Sequence, residues 1–391
     1  MSLPKMELWS GERQKAVSSQ FLKTPSPTNG TGRMLLPEDA FVSMLHLERR
    51  RAERAEKRFV LMLVDIEPIV REARSNRVLA KICEALNQSI RETDIIGWYL
   101  EDHLIGVIGT EIGRARPRTV QDRLQKKVRD AFNRSLSPEK SSLISISFHF
   151  FPEEWEEGGS DHSANSALYP DLSKREESKK LELGIKRAID IVGSSVALIL
   201  FAPIYLLAAL AIKLTSKGPV LFRQHRLGQY GKTFTLLKFR SMRTNCDEKI
   251  HKEFVHQFIA GRADDSPDGT EKPVFKIKED PRVTRVGKFL RKTSLDEVPQ
   301  FWNVLRGDMS LVGPRPPIAY EFRTYGVWHR RRVLEIKPGI TGLWQVTGRS
   351  RIRFDDMVRL DLKYARAWSL WLDIKILLRT PVAVFSGDGA H

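Results

Sequence analysis

A run of about twenty apolar residues, long enough to cross a bilayer, lies between Ala188 and Ile212 and sets the first limit on how this chain can fold. Hydropathy alone favours a spanning helix. Three features within the run argue for another course. Asp190 falls in the first turns, Pro203 sits at mid-length, and Lys186-Arg187, Lys213 and Lys217 flank the two ends. Proline removes a backbone donor and bends a helix. A bent helix that enters and leaves by one face would keep both basic ends on the cytosolic side, where Lys and Arg accumulate. A kinked transmembrane helix and a buried core helix remain the alternatives for residues 186–213.

The chain has 391 residues, enough for two or three domains with cores of their own. Its net charge of +17 predicts attraction to polyanions: nucleic acid, anionic lipid or phosphorylated substrates. Cys83 and Cys246 lie too far apart in sequence to suggest a disulfide framework or a zinc site, which points to a reducing, cytosol-facing location. Residues 1–37 contain no apolar signal-peptide core and are expected to form a flexible tail.

Residues 38–152 read as an α/β domain. Phe59–Val64 is a continuous apolar run suited to a buried strand ending at Asp65, and a helical stretch follows around Leu79–Ile90. Ile95–Leu100 and Leu104–Ile108 form a hairpin pattern around Glu101-Asp102-His103. A basic helix over Val120–Phe132 and a strand over Leu143–Phe151 complete the order. Residues 153–180, rich in Glu, Ser, Lys and Gly, read as a linker to a second domain at 181–391.

In that second domain, Pro219–Met242 reads as two strands around a glycine-containing turn. Arg223, Arg226, Lys238 and Arg240 supply cations able to grip phosphate, with scattered surface charge as the alternative. Cys246–Pro273 is polar and is expected to be a loop. Arg282, Arg285, Arg291 and Lys292 then precede Thr293-Ser-Leu-Asp-Glu-Val-Pro-Gln300. Ser294 and Glu297 have the capping-box spacing, and Val298, Phe301, Trp302 and Leu305 recur at helical intervals toward a core. Asp296 would lie in a first helical turn, where free N–H groups favour negative charge. Ionised among so many cations, it is a candidate nucleophile for phosphoryl transfer; a simple helix cap is the plainer reading. Pro314-Arg315-Pro316 mounts one guanidinium between two φ-locked residues. Lys337–Arg349 forms another glycine-containing loop, ending in a further cation at Arg349. The segment Asp361–Arg379 mixes Trp, Leu and cations, as helices in a membrane interface do, although a core helix fits equally.

Two resemblances extend this reading. The order of residues 38–152, with Asp65 ending a strand and Arg91-Glu-Thr-Asp94 leading into the hairpin, resembles the nucleotidyl-cyclase-like fold of diguanylate cyclases. The tip lacks that family's glycine pair, which implies a degenerate regulatory or dimerisation domain without cyclase activity. Residues from about Lys186 to Thr380 closely resemble the bacterial sugar transferase family, the monotopic polyprenyl-phosphate phosphoglycosyl transferases. The motifs that carry this are Lys186-Arg-x-x-Asp-Ile, Lys238-Phe-Arg-Ser-Met, Ser294-Leu-Asp-Glu-x-Pro-Gln, Gly307-Asp-Met-Ser-Leu-Val-Gly-Pro-Arg-Pro and Lys337-Pro-Gly-Ile-Thr-Gly.

The fold class expected is therefore α/β (α+β): a cyclase-like domain followed by a mainly helical domain with a re-entrant helix, broken near Pro203, and a β-hairpin. The resemblance implies that Asp296 attacks the β-phosphorus of a UDP-sugar, releases UMP, and passes the sugar phosphate to undecaprenyl phosphate. Glu297 would assist with Mg²⁺ or proton handling, so that the pair would also hold the metal. Arg240 and Arg315 match positions for phosphate or nucleotide contact. Asp361 and Asp373 match recurrent acidic positions, and Lys186, Arg187, Asp190 and Pro203 would form the membrane anchor. Substrate contacts are also expected from Lys238, Arg282, Arg291 and Arg349. Initiation of exopolysaccharide, capsule or O-antigen assembly at the cytoplasmic face of a bacterial inner membrane follows, with downstream glycosyltransferases or a second copy of the chain as partners.

A competing class is a membrane-anchored nucleotide-sensing module without transferase activity, which the lost glycine tip disfavours. A metal-dependent glycosyltransferase would call for Asp-x-Asp, which this chain lacks. No nucleic-acid motif accompanies the positive charge, so no nucleic-acid partner is expected.

Overall fold

The computed structural model describes residues 35–72, 76–113, 116–153, 165–243, 249–261 and 282–385. Most of the expected tail, the acidic start of the linker and much of the polar stretch 246–273 lie outside these residues. The chain divides into two units, Met1–Glu48 with Arg58–Phe150 and Arg49–Lys57 with Phe151–His391.

Helix α1 (Glu38–Ala55) begins in the first unit and has its later residues, from Arg49, in the second; in the first unit strand β1 (Phe59–Asp65) and helices α2 (Glu67–Glu72) and α3 (Asn76–Ser89) follow. Strands β2 (Ile95–Leu100) and β3 (Leu104–Gly109) form the expected hairpin, and α4 (Pro117–Ser135), α5 (Pro138–Leu143) and β4 (Ser145–Phe151) complete the unit. The sheet order is β2-β3-β1-β4, with β1 and β3 antiparallel from Val60↔Gly109 to Asp65↔Leu104. The apolar run of β1 is buried along its length, and Met62 and Val64 pack with Ile82, Leu86 and Phe132 from α3 and α4. The glycine pair of this hairpin is in mid-strand. Gly97 and Gly106 face each other, and a Cβ on either would lie within 2.8 Å of the Phe41 ring. The pair leaves room for a core phenylalanine from α1.

The second unit starts helically within the stretch read as linker. Helix α6 (Pro170–Ser178) is tied down by Arg175 Nη2 donating to Ala365 O at 2.6 Å. Glu176 Oε1 also accepts from Tyr230 Oη at 2.5 Å and Gln229 Nε2 at 3.0 Å. The charges that suggested solvated linker are anchors. The apolar run forms α7 (Lys180–Leu200) and α8 (Ala202–Thr215), which meet at 58° across Phe201. Pro203 occupies the first turn of α8, where its missing N–H removes no helical bond, so the bend falls just before it. Among the described residues, no single helix is long and apolar enough to cross a membrane, whereas this bent pair passes by length and composition together.

Strands β5 (Leu221–Leu227) and β6 (Thr233–Phe239) pair antiparallel from Leu221↔Phe239 to Leu227↔Thr233, as the sequence suggested. Part of the polar stretch expected as loop is a helix, α9 (Lys249–Ile259). The chain continues through α10 (Arg285–Lys292), α11 (Gln300–Arg306), β7 (Ser310–Val312), α12 (Ala319–Thr324), α13 (Val327–Glu335) and β8 (Gly339–Thr341). Helices α14 (Leu343–Thr347), α15 (Phe354–Ala367) and α16 (Leu370–Phe385) end the described chain. The segment Asp361–Arg379, read as helical either at a membrane interface or in a core, runs through two helices with a break at Trp368-Ser369. Buried Val304, Met309, Val312, Tyr364, Trp368 and Ile376 form a core beneath β7, while Ala208, Ile212, Phe239, Leu290 and Val298 form another against α8.

Candidate active site

The adjacent carboxylates Asp296 and Glu297 lie on a single 3₁₀ turn, Leu295–Glu297, between α10 and α11. The expected capping box is absent. Ser294 is left-handed at φ 57° and its side chain makes no cap bond, so the dyad precedes α11 instead of occupying its first turn. Pro299, not Ser294, stands at the start of α11. Val298 is buried as expected, but Trp302 is 54% exposed, so the helical stripe toward the core is narrower than the sequence suggested.

Three cations from separate segments converge on Glu297. Lys238 Nζ, near the end of β6, donates to Glu297 Oε1 at 2.9 Å. Arg315 and Arg349 add their fields from the loop after β7 and from the turn after α14. Burial alone would raise the Glu297 carboxyl, but Lys238, Arg315 and Arg349 together hold it below its ordinary value. Asp296 beside it is half-buried.

The approach to the dyad is built by close backbone contact. Thr284 caps α10 through Oγ1, which accepts from Gly287 N at 3.0 Å. A Cβ at Gly287 would lie 2.0 Å from Ser241 O, so α10 seats directly on the end of the β6 segment. Arg291 Nε donates to Ser241 Oγ at 2.9 Å, and Arg282 O accepts from Arg243 N at 2.9 Å. These contacts stitch the Lys-Phe-Arg-Ser-Met motif to the helix that delivers Asp296.

Other expected substrate contacts are engaged elsewhere. Arg240 is buried and donates to Lys217 O, Ser216 O and Ser216 Oγ at 2.7–2.8 Å, closing the end of α8. Asp361 is 1% exposed and pairs with Arg332 at 3.2 Å. Asp373 accepts from Lys186 Nζ at 2.6 Å, Tyr364 Oη at 2.5 Å and Trp368 Nε1 at 3.1 Å. A carboxylate satisfied by three buried donors has no free face for a substrate.

The residues expected to grip a membrane also hold protein. Besides Asp373, Lys186 Nζ reaches Val312 O at 3.1 Å. Arg187 donates to Val304 O and Leu305 O at 2.7 Å, satisfying carbonyls at the end of α11. Asp190 Oδ1 accepts from Ser310 Oγ at 3.0 Å and Leu311 N at 2.9 Å. They fasten the base of α7 to the β7 segment and to the helix that follows the dyad. Only tertiary placement reveals this, because charges flanking an apolar run read identically whether they face lipid or protein.

Sequence reasoning also missed Arg332, and it read Arg226 as a cation able to grip phosphate. Both are buried, and both donate into the Pro314–Pro317 loop. Arg332 closes the run Arg330-Arg331-Arg332 and Arg226 shares its strand with Arg223, so nothing in the pattern marks these two as internal.

A carboxylate pair ringed by lysine and arginine, beside a rigid loop that projects one more arginine, defines a site for handling anionic groups. Residues 181–387 match the bacterial sugar transferase family, and the chain belongs to it. An exopolysaccharide production protein, ExoY, of Rhizobium meliloti is 39% identical over 211 residues, which are 53% of this chain and 88% of that protein. A galactosyl transferase, CpsE, of Streptococcus agalactiae is 44% identical over 206 residues, 52% of this chain and 43% of that protein. An undecaprenyl-phosphate galactose phosphotransferase of Salmonella typhimurium is 45% identical over 208 residues, 53% of this chain and 42% of that protein. The chain therefore spans under half the length of these last two relatives. A solved diguanylate cyclase protein from Thermotoga maritima matches 31% of this chain and 84% of that one, at 19% identity and a TM-score of 0.23, a likeness that assigns nothing.

Proposed function

We propose that this protein transfers a sugar 1-phosphate from a UDP-sugar to undecaprenyl phosphate, releasing UMP, and so starts assembly of a surface polysaccharide. The observation that carries this reading is the convergence of Lys238, Arg315 and Arg349 on the Asp296–Glu297 dyad. Two relatives support it, one named an undecaprenyl-phosphate galactose phosphotransferase and one a UDP-glucose:undecaprenyl-phosphate glucose-1-phosphate transferase.

In this reading an Asp296 oxygen attacks the β-phosphorus of the donor. The bond from that phosphorus to the bridging oxygen breaks, UMP leaves, and the sugar phosphate stays on the carboxylate. An oxygen of the lipid phosphate then attacks the same phosphorus, the aspartyl bond breaks, and the lipid diphosphate sugar departs. The arginines and Lys238 draw the diphosphate toward an otherwise repelling carboxylate and stabilise charge on the transferring group. Mg²⁺ commonly binds through one or two carboxylates plus substrate phosphates, a donor set that Asp296 and Glu297 can supply to neutralise the diphosphate.

A lipid acceptor and a soluble donor must meet at a membrane surface. The bent α7–α8 pair suits a re-entrant anchor entering from the cytoplasmic face, with Val196, Ile199, Leu206 and Leu210 of its two helices exposed. The test is UMP release from a panel of UDP-hexoses with undecaprenyl phosphate, together with intact-mass detection of a sugar-phosphate adduct. Asp296→Asn should abolish both. An adduct that persists in this variant, or release of UDP instead of UMP, would overturn the reading.

A further inference from the structure

The loop Pro314-Arg315-Pro316-Pro317 follows β7 and contains one backbone N–H in four residues, because proline has none. Such a segment cannot brace itself through its own turns. Each of its carbonyls is instead gripped from outside. Pro314 O accepts from Gly339 N at 2.9 Å, and Pro317 O accepts from Leu227 N at 3.0 Å. Arg315 O accepts from Arg332 Nη2 at 2.7 Å, and Pro316 O accepts from Arg226 Nη1 at 2.8 Å.

Both guanidiniums come from buried side chains with partners of their own. Arg226 also donates to Gln224 Oε1, through Nε at 3.0 Å and Nη2 at 2.7 Å. Arg332 is 1% exposed, and Asp361 lies 3.2 Å from the same Nη2 that holds Arg315 O. The outcome is asymmetric. Every residue from Leu311 to Ile318 is buried except Arg315, whose side chain is exposed and whose charge reaches Glu297.

We propose that Arg332, braced by Asp361, is a positioning residue for the transfer: it locks the backbone carbonyl of Arg315 and so aims that guanidinium at the dyad. A buried guanidinium carrying an isolated ion pair is a costly way to fill a core. A lever that fixes the backbone of a substrate-facing arginine gives it a use. The inference rests on the reading of Asp296 and Arg315 above.

The test is a double-mutant cycle in kcat/KM for UMP release, comparing Arg315→Ala, Arg332→Lys and the pair. Arg332→Lys keeps a charge but loses the planar fork. A misaimed contact group costs about ten- to a hundredfold, and that loss should appear in wild type yet shrink to under about twofold once Arg315 is already alanine. A merely structural residue would lower the folded fraction equally in both backgrounds, so equal losses, or none in the single variant, overturn the inference. Should Arg332→Lys not fold, Arg226→Lys enters the same cycle, with the same two outcomes, through Pro316 O. Full activity in Arg315→Ala overturns the inference by removing what is positioned, while leaving Asp296 untouched. Full activity in Asp296→Asn instead overturns the covalent reading, and the cycle still reports on Arg315.

Discussion

Lys238 Nζ lies 2.9 Å from Glu297 Oε1, joining the end of a β-hairpin to the turn that carries both site carboxylates. The two residues are 59 positions apart in sequence, and the contact decides the state of the carboxyl. Burial pushes Glu297 up, and Lys238 is the foremost of the cations that bring it down.

Replacing Lys238 with Met should therefore raise the Glu297 pKa. A depressed carboxyl is ionised well into acid, so the wild-type rate should persist as pH falls until that low value is reached. In the variant the acid limb of kcat/KM should move to higher pH, and turnover at neutral pH should fall about a hundredfold, as for loss of a charge-stabilising group. A pH–rate profile on both proteins checks this; an unmoved limb would show that Glu297 does not govern it.

Arg240→Lys separates a structural arginine from a substrate-binding one. The guanidinium closes the end of α8 through Ser216 and Lys217. Replacement should lower stability by about 2–4 kcal/mol, since charged hydrogen bonds contribute about 1.5–3 kcal/mol each. KM for the UDP-sugar should stay unchanged. Thermal unfolding and steady-state kinetics on the same preparation decide between the roles.

Asp361 predicts a distinct pH signature. Burial raises its carboxyl to about 6 despite Arg332, against 3.8 for a free one. The folded protein then binds this proton more tightly than the unfolded chain does. Stability from this group should rise as pH falls from about 6 toward 4, by about 3 kcal/mol at one pKa unit per 1.36 kcal/mol. Asp361→Asn, neutral at every pH, should lose that rise and be at least as stable as wild type at pH 7, where the wild-type carboxyl is held in its less favoured ionised form. Unfolding midpoints from pH 4.5 to 7.5 test both parts.

Gly339→Ala should be destabilised by about 2–3 kcal/mol, within the range for overpacking a closed site. A Cβ there would lie 2.0 Å from Gly313 N, 2.5 Å from Val312 C and 2.7 Å from Gly313 Cα, all backbone atoms. Because Gly339 N also holds Pro314 O, UMP release should fall with the unfolding midpoint. A variant of unchanged midpoint would refute the close-contact account.

The hairpin β5–β6, the hairpin β2–β3 and the buried β1 strand were legible because alternation and apolar runs are local signals. The Asp-Glu dyad was legible too, as a cluster of chemistry in a short span. Its setting was misread: Ser-x-x-Glu spacing predicts a capped helix, whereas Ser294 turns left-handed and Glu297 is taken by Lys238 from another element. Helix α6, within the stretch 153–180 read as linker, went unread for a related reason. A charged helix looks like solvated chain until Arg175 and Glu176 find partners far away in sequence.

From residue order come the apolar run with its proline break, the carboxylate dyad and the density of cations around it; each follows from chemistry within a few residues. Folding in three dimensions settles where each of those cations goes. Lys238, Arg315 and Arg349 meet at Glu297, while Lys186, Arg240 and Arg332 go inward to hold helices and a proline loop. A lysine or arginine carries the same charge in either place, and only the long-range contacts that bury it, and the partners it then must have, separate a substrate grip from a structural tie.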